Sequence, residues 1–306
     1  MTVPSVQLHA QGPQCSRLIF GAWRLSTWNV STRELIDLLH ASIDLGITTV
    51  DHADIYGDYT CEALFGKALK EEPALRARLQ LISKCGIRPV SANRPRNSVK
   101  HYDTSRAHIL ASVDTSLRNL HTDYLDLLLL HRPDPFMNAD ETAEALTCVV
   151  QAGKVRHVGV SNFLPSQFDL LASRLSIPLV TNQIEISVMK LNAFSDGTLD
   201  HCQRLRIAPM AWSPLGGGGL FTATTPQAER LRTALSEVGG QHGTASLDTI
   251  ALAWLLTHPA NIIPVLGTGK VQRLRAAADA VKITLTREHW FKIWSASTGV
   301  NVPSVA

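Results

Sequence analysis

The sequence predicts an α/β protein: a closed (β/α)8 barrel of the TIM type, with a β-hairpin ahead of it. Three observations carry that expectation. First, eight short and nearly continuously apolar runs recur along the chain: "SRLIFGAW", "GITTVDHA", "LQLISKCG", "DYLDLLLLH", "VRHVGVSN", "PLVTNQIE", "IAPMAWSP" and "NIIPVLGTG". Strands buried on both faces of a parallel sheet read this way, without polar alternation. Second, segments with helical periodicity lie between the runs, among them "STRELIDLLHASIDLG", "SRAHILASVDTSLRNLH" and "DTIALAWLLTHP". Third, the C-terminal ends of the runs carry polar and aromatic residues, and that is the end of a barrel where active sites form. A doubly wound sheet is the alternative, but no G-x-G-x-x-G follows the first run.

The elements follow in order. Within the first 17 residues, "QGP" separates two short alternating runs, which predicts a hairpin. After the first barrel strand, Ser31 stands three residues before Glu34, the spacing of a capping box that opens a helix. A long loop from Ile87 to Asp103 follows the third strand, and Asp103 or Ser105 caps the helix after it. "TREHWFKIWSAS" is a closing helix. No linker and no repeat beyond the βα period interrupts the chain, so residues 1–306 are expected to form one domain.

Composition narrows the function. The chain is 45% hydrophobic and 18% charged with a net charge of +3, and no block of one sign stands out. Nothing here suggests a nucleic-acid or membrane partner. The cysteines, Cys15, Cys61, Cys85, Cys148 and Cys202, are odd in number and form no C-x-x-C pair. They read as free thiols of a cytoplasmic protein, not as a disulfide framework or a metal site. No apolar run approaches the roughly 20 residues of a membrane span, and no signal peptide is read at the start. A monomer is the default expectation.

The strand ends supply Trp23, Asp51, Tyr56, Lys84, His131, Ser161, Asn162, Gln183, Trp212 and Ser213, followed by the loop Gly267–Lys270. A lone lysine after a strand is more often a solvated charge, and a lone histidine there is often a core residue. Convergence of all of them on one mouth points to chemistry. A free tyrosine titrates near 10, too high for efficient proton transfer at neutral pH. A neighbouring ammonium favours the phenolate, and a carboxylate holds that ammonium in place. Asp51, Tyr56, Lys84 and His131 therefore read as a proton-donating set, with His52 and Asp54 as structural neighbours. In the loop, Gly267, Thr268 and Gly269 precede Lys270 and Arg273, a glycine-containing turn that opens a helix, which suits an anion. If both are helical, Lys270 and Arg273 share a face. "LGTGKV" lacks the Ser/Thr and outer glycine of a P-loop.

The motifs "VDHADIYG", "LISKCG", "LLLLHRPDP", "VGVSNF", "NQIE", "WSPLGGG" and "GTGKVQR" resemble the aldo-keto reductase superfamily, in order and at its intervals, from about Ser16 to Lys282. The stretch "HYDTS" resembles its bacterial-type NADP-dependent oxidoreductase branch. The resemblance implies a barrel that binds NADPH in extended form and reduces a small aldehyde or ketone. Carried over by motif, Asp51, Tyr56, Lys84 and His131 are the catalytic four, with Tyr56 the proton donor. Ser161, Asn162 and Gln183 match the positions that hold the nicotinamide carboxamide. Trp212 matches the ring stacked on the nicotinamide, and Ser213, Pro214, Leu215 and Gly216 the loop over the pyrophosphate. Lys270 and Arg273 match the residues around the 2′-phosphate.

Two departures matter. Ala276 and Ala277 stand where many members place an acidic residue and an asparagine near the adenine, so adenine contacts are expected to differ. After the last helix the chain lacks a long closing loop, which leaves Trp23, Trp28, Arg132, Phe163 and the loop Ile87–Asp103 as the candidates for substrate contact. Two other readings compete: a Schiff-base lyase with Lys84 as nucleophile, and a cofactor-binding regulatory subunit. The first needs a lysine of lowered pKa, which neighbouring Asp51 is expected to oppose.

Overall fold

The computed structural model describes residues 2–244 and 246–302. Eight parallel strands close into a barrel: β1 (Ile19–Gly21), β2 (Thr49–Asp51), β3 (Gln80–Cys85), β4 (Leu125–Leu130), β5 (Val155–Ser161), β6 (Leu179–Glu185), β7 (Met210–Trp212) and β8 (Ile263–Leu266). Each falls inside one of the apolar runs. The registers Val265↔Ile19 and Gly21↔Asp51 close the ring across β8, β1 and β2.

Side chains alternate between two apolar layers. Ile19, Ile82, Leu127, Leu129, Val180, Met210 and Ile263 form one buried cluster inside the barrel, together with Leu8 and Cys15 of the N-terminal hairpin. That hairpin pairs Ser5–Gln7 with Gln14–Ser16, as expected, and closes the N-terminal end. The Ser16 Oγ accepts from the N–H of Thr48 and of Thr49 at the start of β2, and the Leu8 carbonyl accepts from the Ala208 N–H. A larger cluster lies between strands and helices. Full burial of one such aliphatic side chain contributes about 1.5–3 kcal/mol, so the layers and not the short strands hold the ring closed.

The predicted caps form. Ser31 and Glu34 make a reciprocal capping box at the helix Thr32–Asp44, and Ser105 caps Arg106–Leu120. The loop Ile87–Asp103 contains an antiparallel pair, Ile87–Arg88 with His101–Tyr102, so it is a built element and not an open strap. With one end plugged, the polar strand ends gather at the other. The cysteines are free, and among the described residues no helix is long and apolar enough to cross a membrane.

Candidate active site

β2 delivers Asp51 to the open end. The chain then turns, with the Asp54 N–H donating to the Lys84 carbonyl at 3.0 Å and the Tyr56 N–H to the Ala53 carbonyl at 3.1 Å. Lys84, near the end of β3, has a fully buried side chain. Its Nζ donates to Asp51 Oδ2 at 2.7 Å, the His52 carbonyl at 2.8 Å and Tyr56 Oη at 2.8 Å. An ammonium has three N–H groups, and all three are used. Since the Tyr56 oxygen accepts from Lys84, its own hydrogen points elsewhere. Asp51 Oδ2 lies 3.5 Å from Tyr56 Oη, too far to hold that hydrogen firmly. The other Asp51 oxygen accepts from Gln183 Nε2 at 2.8 Å, reaching across from β6. His131 follows β4, where its N–H donates to the Cys85 carbonyl at 2.8 Å. Its ring meets the Tyr56 ring edge-on at 5.9 Å, and its Nδ1 is buried with no partner among the described residues.

Burial governs the protonation states. The Tyr56 phenol is pushed well above 10, by desolvation first and by the Asp51 charge next. This reverses the sequence expectation: the Lys84 ammonium does not bring the phenol down, because desolvation and a carboxylate outweigh it. The phenol stays protonated. Burial likewise pushes Lys84 down, with Asp51 opposing the shift. His131 is held well below 6.5 by burial and by the Lys84 and Arg132 charges, so its ring is neutral. Behind this set, His52 is fully buried against the Phe65 ring and drops to about 3. Asp54, also buried, is pushed up.

Ser161, Asn162 and Gln183 tie the ends of β5 and β6 together. Ser161 Oγ donates to the Gln183 carbonyl at 2.7 Å, and Asn162, at a left-handed φ of 62°, donates its side-chain amide to Ser161 Oγ at 2.8 Å. Trp212 Nε1 donates to Asn162 Oδ1 at 2.9 Å, and the Arg132 guanidinium sits 5.5 Å from the Trp212 ring centre. A groove of about 250 Å³ runs from Asp51 and Tyr56 past Trp212, Ser213, Pro214 and Leu215 to Gly267, Thr268, Arg273 and Ala277. Two glycines of a left-handed run, Gly217 and Gly218, with φ of 64° and 101°, line its wall.

The comparisons with known proteins bear on the family and the fold. The family model described as the aldo/keto reductase family matches residues 17–297. The oxidoreductase YcsN of Bacillus subtilis is 52% identical, over 96% of this chain and 98% of its own. The 6-dehydroglucose reductase of Agrobacterium fabrum is 45% identical, over 94% and 96%. Among solved structures, a thermostable aldo-keto reductase in complex with the inhibitor epalrestat superposes with a TM-score of 0.81 at 30% identity, covering 96% of this chain and 99% of that one. The chain belongs to the aldo/keto reductase family. It is therefore an oxidoreductase with a small-molecule substrate.

Several expectations about this aldo/keto reductase need correction. Phe163 does not reach the groove: it is 1% exposed and packs in the core. The Asn182 side chain brackets its backbone, accepting from the Phe163 N–H and donating to its carbonyl, and so turns the ring inward. Trp28 is half-buried against Phe20, and a Cβ on Gly269 would lie 2.7 Å from the Trp28 ring. It buttresses the glycine turn and does not line the groove. Lys270 is not helical: it is the N-cap of Val271–Asp279, with extended φ and ψ, whereas Arg273 lies in the first turn and lines the groove. The two therefore flank the helix start without sharing a helical face. Of the residues expected to form the pyrophosphate loop, Ser213, Pro214 and Leu215 line the groove and Gly216 faces Met189; Gly217 and Gly218, just beyond the expected bounds, line the groove as well. Trp23, at 51% exposure, does border the groove.

Sequence reading missed Arg24, Phe221 and Asp248 on the groove wall. Arg24 donates to the Gly217 carbonyl at 3.2 Å across the mouth. Asp248 lines the same groove as Arg273 and Ala277, and its only signal in the sequence was its place at the start of a helical stretch, which says nothing of what it faces.

Proposed function

We propose that this aldo/keto reductase reduces small aldehydes or ketones to alcohols with NADPH, with Tyr56 donating the proton and Lys84, Asp51 and His131 assisting. One observation carries the reading: a fully buried ammonium donates to the Tyr56 oxygen at 2.8 Å, with its other two N–H groups held by Asp51 and the His52 carbonyl. As negative charge grows on a substrate's carbonyl oxygen, the phenol gives up its proton. The phenolate left behind is met by an N–H already in place, so no solvent has to reorganise. Asp51, itself held by Gln183, keeps that ammonium from turning away. The neutral His131 ring can orient the carbonyl oxygen without competing as an acid.

Bound NADPH supplies the hydride. The residues present fit such a cofactor. Cβ atoms on Gly218 and Gly267 would meet nothing within 4 Å, so the backbone there leaves room for a phosphate to approach, although the Gly218 N–H itself donates to the Leu215 carbonyl at 3.1 Å. Lys270 and Arg273 are cations at the positive end of a helix whose first turn holds no acidic residue. Unrelieved, that arrangement is unfavourable, and an anion relieves it. The Trp212 ring, fixed through Nε1, can face the nicotinamide, and the Gln183 and Asn162 amides lie beside it to meet its carboxamide. Asp248 and Ala277 would flank the adenosine end.

The competing Schiff-base reading loses support on access more than on pKa: the Lys84 side chain is fully buried and hydrogen-bonded three times. The test is NADPH oxidation against a panel of aldehydes, ketones, quinones and sugar carbonyls, the last because relatives are named 6-dehydroglucose reductases. Folded, NADPH-binding protein that turns over none of them sinks the proposal.

A further inference from the structure

The proton donor is followed by backbone that its own sequence does not favour. Gly57, Asp58 and Tyr59 all adopt left-handed conformations, with φ of 57°, 54° and 67°. Glycine does this freely and aspartate with some ease, but a bulky Tyr59 does it only when the surroundings impose it, and such strain gathers at functional sites. Local bonds account for part of it: the Thr60 N–H donates to the Tyr56 carbonyl at 3.1 Å and Thr60 Oγ1 to the Gly57 carbonyl. The rest comes from far along the chain. Asn93 Nδ2 donates to the Asp58 carbonyl at 2.9 Å and to Asp58 Oδ2 at 3.2 Å. The Arg94 guanidinium covers the Tyr59 ring at 4.1 Å.

The clamp is itself fixed. Asn93 and Arg94 donate their N–H groups to Ser91 Oγ and the Ser91 carbonyl, both at 3.0 Å. The buried Asn97 accepts from Arg88, which also pairs with Asp103 at 2.8 Å. The loop Ile87–Asp103 is thus a braced arm that reaches over and grips the turn carrying Tyr56. Without the grip, Asp58 and Tyr59 are free to relax to ordinary conformations, and Gly57, where a Cβ would lie 2.6 Å from Ser26 Oγ and from Cys61 Sγ, becomes the pivot.

We propose that Asn93, backed by Arg94, is a positioning residue: it locks the left-handed turn and so fixes the Tyr56 oxygen against Lys84. This rests on Tyr56 being the proton donor. Asn93 is exposed and touches neither the groove nor Lys84, so its effect passes through Tyr56. Displacements near 1 Å at a reacting group can cost about 100-fold in rate, and a loosened turn will sample only part of that.

The test compares Asn93→Ala and Asn93→Asp, the latter setting a carboxylate against Asp58, in the wild-type and Tyr56→Phe backgrounds. Expected is a kcat reduced about 10-fold in Asn93→Ala and more in Asn93→Asp, with KM and NADPH affinity within about twofold and no loss of thermal stability large enough to unfold the protein. In the Tyr56→Phe background the same substitutions should change residual turnover by less than about twofold, since the group they position is gone. Wild-type kcat in both Asn93 variants, or an equal loss with and without the phenol, overturns the inference. Undiminished turnover in Tyr56→Phe alone removes the underlying functional reading instead, so the two failures are distinguishable.

Discussion

At the scale of single residues, the site is an arrangement of burial against charge. Lys84 is costly to bury, and its cost is met by three acceptors within 2.8 Å. Tyr56 is kept protonated by the same burial that lowers Lys84, so the proposed donor has a proton to give. A prediction follows for Tyr56→Phe. The ring keeps its edge-on contact with His131 and its place beside Trp23, so the fold and cofactor binding are expected to survive. Loss of a general acid typically costs about 10²–10⁴-fold. Steady-state turnover with a simple aldehyde should fall by that much while NADPH affinity, read by fluorescence quenching, stays within about twofold. Retention of a tenth of the activity removes Tyr56 from the role.

At the scale of elements, the proposed preference for NADPH rests on the helix Val271–Asp279. Arg273 projects from its first turn to the groove wall, and Lys270 stands exposed at the cap. Charge-assisted hydrogen bonds contribute roughly 1.5–3 kcal/mol each, less when exposed as here. Arg273→Ala is therefore expected to weaken NADPH more than Lys270→Ala does, and the double variant by about 100-fold, since 1.4 kcal/mol is tenfold. NADH should be nearly unaffected, and the salt dependence of NADPH binding should shrink. Equal losses for both dinucleotides would mean that the turn is structural. How far such elements could be read from sequence depends on how local their causes are. The barrel strands were legible because a strand buried on both faces must be apolar along its length, and the Ser31 cap because its partner is three residues away. Phe163 was misread because its direction is set by Asn182, on the next strand. The left-handed turn after Tyr56 left no trace beyond Gly57, since Asn93 imposes it from 35 residues away. Lys270 looked helical because spacing cannot tell a cap from a first turn.

At the scale of the whole molecule, the buried ionisable groups around the site set how stability responds to acid. The imidazoles of His52 and His131 are neutral in the fold, with His52 lowered to about 3 from an ordinary 6.5 and His131 well below it. Unfolding lets both bind protons, so below pH 6.5 the unfolded state holds more protons than the native one, and this contribution to stability falls as pH falls. Asp54 and Glu62 act in the opposite sense. Their raised pKa values mean that the native state keeps protons that the unfolded state releases, so their contribution grows on acidification from neutral pH. The net slope is a difference between these pairs and says little alone. A substitution isolates one member. His52→Leu keeps the backbone carbonyl that accepts from Lys84 and fills a similar volume against Phe65, while removing one titrating group. Between pH 6 and 4.5, the slope of unfolding free energy against pH, from urea titrations, is expected to become less positive than wild type by about 1.4 kcal/mol per unit. An unchanged slope would mean that His52 is already protonated in the folded protein, and that the burial assigned to it does not hold in solution.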